Sequence, residues 1–146
     1  MSVSKTLVDQ AKDRPTQADY HRLAAFRLTL RRFHAFSESA ALQEGLKPQQ
    51  HQALLSIKAM STDTPPKVGD VAEQLLIRHH SAVELINRLG HMGLVKRLKD
   101  PEDGRKVRVA LTALAEEKLA VLSVAHLSEL ESLRPLLMKL LRNIQR

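Results

Sequence analysis

Two short stretches of this chain concentrate side chains that could act together on one partner. Arg78-His79-His80-Ser81 supplies a guanidinium, two imidazoles and a hydroxyl in succession, and Glu84 and Arg88 follow at helical spacing. Between Lys96 and Arg108, six basic residues (Lys96, Arg97, Lys99, Arg105, Lys106, Arg108) meet three acids, Asp100, Glu102 and Asp103. Guanidinium and ammonium groups neutralise phosphates, whereas imidazole, hydroxyl and carboxylate groups exchange hydrogen bonds with base edges. The whole chain leans the same way: 23 Lys and Arg against 16 Asp and Glu give a formal charge of +7 over 146 residues, which suits a polyanionic partner.

Other chemistries find less support. With no cysteine, a disulfide framework, a thiolate zinc site and thiol-based redox sensing are all excluded. The seven histidines, His21, His34, His51, His79, His80, His91 and His126, include no i, i+4 pair that would set two imidazoles on one helical face, so a metal site is not expected. Neither a glycine-rich phosphate loop, a nucleophile motif nor paired carboxylates are present, and no catalytic residue or cofactor is expected. The four aromatics, Tyr20, Phe26, Phe33 and Phe36, all precede the basic stretches. Binders of single-stranded nucleic acid need aromatic platforms beside their basic grooves, so the pattern favours a duplex.

The elements that must position these groups follow from periodicity and end signals. Thr16-Gln17-Ala18-Asp19 reads as a capping box opening a long helix, with Leu23, Phe26, Leu30 and Phe33 on one stripe and Gly45 at its end. Pro48 suits the first turn of a second helix, Gln49 to about Met60, with Leu54 and Ile57 inward. After a proline-containing loop, Val68 to Leu75 forms a short helix, and a tight turn leads into a fourth, about His79 to Met92, with Val83, Ile86 and Leu89 inward and Gly93 as its cap. The period then becomes alternating: Leu94 to Leu98 and Val107 to Leu111 predict a hairpin with a charged tip. Thr112 caps a terminal helical region that Pro135 should break or kink. The fold class expected is therefore mainly α with a small β-wing: a winged helix-turn-helix between N- and C-terminal dimerisation helices.

At residue level, Asp70-Val71-Ala72-Glu73-Gln74-Leu75, Ser81-Ala82-Val83, Leu89-Gly90-His91-Met92-Gly93-Leu94-Val95-Lys96-Arg97, Asp103-Gly104-Arg105 and Leu111-Thr112 closely resemble the MarR family of bacterial transcriptional regulators, over about Asp19 to the C-terminus. Leu76 departs from the pattern, standing where such turns often carry glycine, and Lys47 stands where a Ser or Thr cap is common. The resemblance implies that Arg105 is the wing residue entering the minor groove and that Asp103 supports the wing by pairing with arginine, Arg97 being the plausible partner. It also implies release from DNA by a small organic effector, commonly an aromatic acid or a phenolic compound. Phe26, Arg31, Phe33, His34 and His51 are the residues that could meet one.

In a helix-turn-helix the N-terminal residues of the second helix face the bases. His79, His80, Ser81 and Glu84 are thus the base-reading candidates, with Val83 as buried anchor; Glu84 has the alternative of pairing with Arg88. Arg78, Arg88 and Lys106 are candidate backbone contacts. Leu23 and Leu30 at one end and Leu133, Leu137 and Leu140 at the other exceed what a small winged domain covers, so a homodimer on a pseudo-palindromic operator is expected. The organisation read is a flexible arm over 1–17 and one domain over 18–146, with dimerisation helices at 18–44 and 112–146 and the DNA-binding region at 48–111. Without a targeting or membrane-spanning stretch, the expected location is cytoplasmic. The rival readings are a winged helix used for protein contact and a histidine-based metal-responsive regulator.

Overall fold

The computed structural model describes residues 14–142 and 144. The expected flexible arm therefore lies almost wholly outside the described residues. Among the described residues, five helices and one hairpin follow in order: α1 (Gln17–Gln43), α2 (Pro48–Met60), α3 (Val68–Leu75), α4 (His79–His91), β1 (Val95–Lys99), β2 (Val107–Leu111) and α5 (Ala113–Arg142). None of these helices is long and apolar enough to cross a membrane.

Local chemistry sets most of the boundaries. Thr16 Oγ1 accepts from the Asp19 amide at 3.2 Å while Asp19 Oδ2 accepts from the Thr16 amide at 2.8 Å, a reciprocal box that opens α1. Before α5, the Thr112 hydroxyl accepts from the Ala115 amide at 3.3 Å and donates to the Gly93 carbonyl at 2.6 Å, joining the helix start to the turn before the wing.

Three helices stop in the same way. After α1, Leu46 N–H reaches Ala41 O and Gly45 N–H reaches Leu42 O; after α4, Leu94 pairs with Leu89 and Gly93 with Gly90; after α3, Ile77 pairs with Ala72 and Leu76 with Glu73. Each is a Schellman closure, which needs a left-handed residue at its centre. Glycine fills that position at Gly45 and Gly93, both with φ 74°, but at the third it is Leu76, with φ 54° and ψ 41°.

One continuous core joins all the elements. Leu46, Leu54, Ile57, Val71, Ala82, Ile86, Leu89, Leu94, Val109 and Leu122 are buried together, and α5 enters this core through Ala115, Leu119 and Leu122. Helix α4 is anchored by Ala82, Leu85, Ile86 and Leu89, whereas Val83, expected as the anchor, is only half-buried. Ala82 is fully buried, and Val83 packs against the edge of the core.

Beyond Leu122, α5 runs as one helix through Pro135, so of the expected break or kink the break does not occur. Its exposed face carries Val121, Val124, Leu127, Leu130, Leu136, Met138 and Leu141. Of the leucines assigned to a dimer contact, Leu23 is exposed, while Leu30, Leu133, Leu137 and Leu140 are half-buried within the chain, where α1 and α5 pack together. Packing between the terminal helices thus covers part of the surface expected to need a second copy, and the larger uncovered face lies elsewhere on α5.

Candidate nucleic-acid interface

The wing is an antiparallel ribbon in the register Val95↔Leu111, Arg97↔Val109 and Lys99↔Val107. Its outer edge is bound to the loop before α3, since the Val109 amide donates to Pro66 O at 2.9 Å and Lys67 bridges Arg108. The ribbon consequently leaves the body at a fixed angle beside the start of α4.

What fastens the tip is not the expected pair. Arg97 donates to the Asn87 side chain on α4, and Asp103 Oδ1 accepts from the Arg105 amide at 3.1 Å, shaping the turn that presents Arg105. The ion pair is instead Arg108–Asp100: Nε and Nη2 of Arg108 lie 3.0 and 2.9 Å from Asp100 Oδ2, and Nη1 donates to Pro65 O at 2.6 Å. Asp100 is buried, and its other oxygen accepts from the amides of Glu102 and Asp103 at 2.9 and 3.3 Å. Those amides, Glu102's foremost, hold the Asp100 carboxyl below its ordinary range against the opposing effect of burial, with Arg108 and Lys67 adding to the lowering. The difference is one of register. Arg97 sits mid-strand facing α4, whereas Arg108 lies opposite Leu98 near the strand end, within reach of the turn.

The candidate DNA-facing residues fall into two groups on either side of α4. His79 and Val83 line a groove of about 500 Å³ with Arg97, Arg105, Lys106 and Val107 of the wing and Lys67, Gly69, Asp70 and Glu73 at the start of α3. Ser81, Glu84 and Arg88 line a second depression of about 300 Å³ with Lys47, Gln49 and Gln50 of the α2 start. His80 is exposed on the helix between them, and Arg78, exposed, precedes the first turn in extended conformation. Glu84 and Arg88 share a wall but make no ion pair within 4.0 Å. Lys67 and Lys47 add charge to these surfaces. Sequence reasoning noted Lys47 only as a departure at a helix start and passed over Lys67, an isolated lysine outside any motif.

The five residues suggested for an effector do not share one cavity. Phe26 lines a mostly apolar cavity of about 370 Å³ with Asp19, Arg22, Leu23, Leu140, Leu141 and Ile144, at the outer end of the α1–α5 pair. Arg31 is exposed. Phe33, His34 and His51 instead gather near His126: ring centroids lie 6.2 Å apart for Phe33–His34, 5.9 Å for Phe33–His126 and 4.8 Å for His51–His126. Phe26 and Phe33 are about two helical turns apart, which separates the two places by roughly 10 Å along α1. Among the described residues no group of three His, Asp or Glu side chains could hold a metal ion.

A helix-turn-helix with a basic wing, set between two long helices, places this protein in the winged-helix class. Residues 44–106 match the family model described as the MarR family. No curated protein sequence matches the chain. Among solved structures, a MarR family transcription regulator superposes with TM-score 0.67 at 20% identity, covering 88% of this chain and 78% of that one. MepR of S. aureus, solved as a DNA complex, gives 0.63 at 19% identity over 82% and 98% of the two chains. A probable transcriptional regulator from Pseudomonas aeruginosa gives 0.58 at 25% identity over 79% and 92%. The segment 44–106 is thus similar to the MarR family, and the fold, terminal helices included, is like that of a solved MarR family transcription regulator.

Proposed function

We propose that the protein is a homodimeric, sequence-specific regulator of transcription that binds double-stranded DNA. In this reading it acts in the cytoplasm as a repressor and leaves a pseudo-palindromic operator when a small aromatic-acid or phenolic effector binds. The observation that carries the proposal is the groove shared by the wing and α4, in which Arg97, Arg105, Lys106 and Lys67 surround His79. A helix start beside an arginine-bearing loop matches the major and adjacent minor groove of one duplex. His79, His80, Ser81 and Glu84 read bases, Arg105 enters the minor groove, and Arg78, Arg88 and Lys106 neutralise phosphates. Support for a second copy comes from the apolar face of α5 and the exposed Leu23. MepR, of like fold, has been solved with DNA.

Titrating a fluorescent random-sequence duplex at several salt concentrations tests this. Binding should weaken steeply with salt, with a log–log slope of about −0.9 per neutralised phosphate. Arg105→Ala should weaken binding to all sequences, whereas His80→Ala and Ser81→Ala should shift preference among selected operators by ~1–3 kcal/mol per lost base contact. Parent protein that ignores duplex DNA at low salt, or variants that bind a selected operator as the parent does, would refute the assignment.

A further inference from the structure

Away from the basic surface, α1, α2 and α5 meet around two imidazoles that DNA binding does not use. His51 of α2 is 4% exposed, and its Nδ1 has no hydrogen-bond partner. Its ring lies against that of His126 of α5, with centroids 4.8 Å apart. His126 is held at both nitrogens: Nδ1 lies 2.6 Å from the Leu122 carbonyl oxygen and Nε2 lies 2.8 Å from the Ser37 hydroxyl of α1. A carbonyl can only accept, so Nδ1 of neutral His126 carries the proton and Nε2 accepts from Ser37. Edge-on contacts from Phe33 and Phe36, with centroids 5.9 and 5.3 Å from His126, close the α1 side, and His34 lies beyond Phe33.

The cluster is matched to uncharged rings. A proton added to His51 Nδ1 would create a buried donor with no acceptor, facing a second imidazole. His126 could keep both bonds after gaining a proton, because the Ser37 hydroxyl can turn to accept, yet its charge would then face His51. Among the described residues neither ring has a carboxylate within ion-pair distance, and His126 is the one titratable group whose charge is felt at His51. Burial first, and His126 second, push the His51 imidazole below its ordinary value of 6.5.

We propose that the His51–His126 pair is a proton-sensitive joint: protonation loosens the seat of α2 against α1 and α5 and thereby misplaces the DNA-reading elements that α2 carries. The sign follows from linkage. Because the unfolded or opened chain takes up the His51 proton more readily, stability is fully present above 6.5 and falls as pH drops below it.

Thermal unfolding and amide exchange of the whole chain between pH 7.5 and 5.5 test the joint directly. The parent should lose stability across this range and open first around His51, while His51→Leu and His126→Phe should each flatten the loss; His80→Gln, in the exposed helix, should not. Either joint variant suffices if the other does not fold. An unchanged pH slope in the variants would overturn the proposal. The DNA arm rests on the function proposed above. In anisotropy titrations with a random duplex, the affinity of His51→Leu relative to parent should rise from pH 7.5 to 5.5, a ratio in which effects common to both proteins cancel. A constant ratio would overturn the link to DNA. If neither protein bound duplex at any pH, the functional reading would fail and the unfolding measurements would decide the joint alone.

Discussion

Replacing Leu76 by glycine should stabilise the protein. Leu76 closes α3 in the left-handed conformation, φ 54° and ψ 41°, at the position where Gly45 and Gly93 close α1 and α4. A residue with a Cβ loses roughly 1–2 kcal/mol there relative to a right-handed conformation. Its side chain is 93% exposed, so truncation forfeits little packing. Glycine costs about 0.5–1 kcal/mol through the greater freedom of the unfolded chain. The difference leaves a gain of about 0.5–1 kcal/mol, or some 2–4 °C in Tm at this chain length. Leu76→Ala keeps the Cβ and the strain, so it should melt close to the parent, and the gap between the two variants isolates the backbone effect. Urea and thermal unfolding followed by circular dichroism would measure it. If Leu76→Gly melted below Leu76→Ala, the strain argument would be wrong and Leu76 would have to be making a contact in solution that offsets its conformation.

Two further outcomes follow from the fold. Arg108→Ala and Asp100→Asn should each free the turn over residues 100–106, seen as faster exchange of the Glu102 and Asp103 amides while those of α2 stay protected, and both should weaken duplex binding as Arg105→Ala does. Because Asp100 is held below its ordinary 3.8, its contribution is complete above that value and disappears only as pH falls through the lower folded one; the wing of the parent should stay fastened well below pH 5, and Asp100→Asn should lose this acid dependence. Pro135→Ala should raise Tm, since it restores a helical hydrogen bond within α5 and removes a ring clash worth up to about 3 kcal/mol; an unchanged Tm would mean that the last turns of α5 are frayed in solution.

What the sequence disclosed was mostly what is decided within a few residues. The Thr16 box, Pro48, Thr112 and the two glycine stops fixed the helix ends, and the change of period around Leu94 marked the hairpin. Errors arose where the outcome depends on distant partners. The family resemblance implied that Asp103 pairs with an arginine, Arg97 being the candidate, but strand register brings Arg108 to Asp100 instead. Val83 looked like an anchor on apolarity, whereas Ala82, Leu85, Ile86 and Leu89 are the residues of α4 that the core buries. Pro135 is a strong breaker locally, yet α5 carries on through it. His126 was one histidine among seven, and nothing short of the fold could place it against His51.

The same long-range contacts bear on how a signal could reach the DNA face. No soft hinge separates the terminal helices from the reading head: Leu119 and Leu122 of α5 share one core with Ile57, Val71 and Ile86. Two ion pairs reinforce the junction, Lys58–Glu116 at 2.9 Å and Lys118–Glu44 at 3.8 Å, and Lys118 also donates to the Glu44 carbonyl at 2.7 Å. Densely packed interiors move as units rather than deform gradually. A ligand or proton acting where α1, α2 and α5 meet would therefore tilt the head as a body. In a two-fold assembly such a tilt changes the separation of the paired recognition helices, which must match the ~34 Å repeat of B-DNA. On the function proposed above, release from an operator would need no disorder within the winged helices, only a change of packing at the junction where His51 lies.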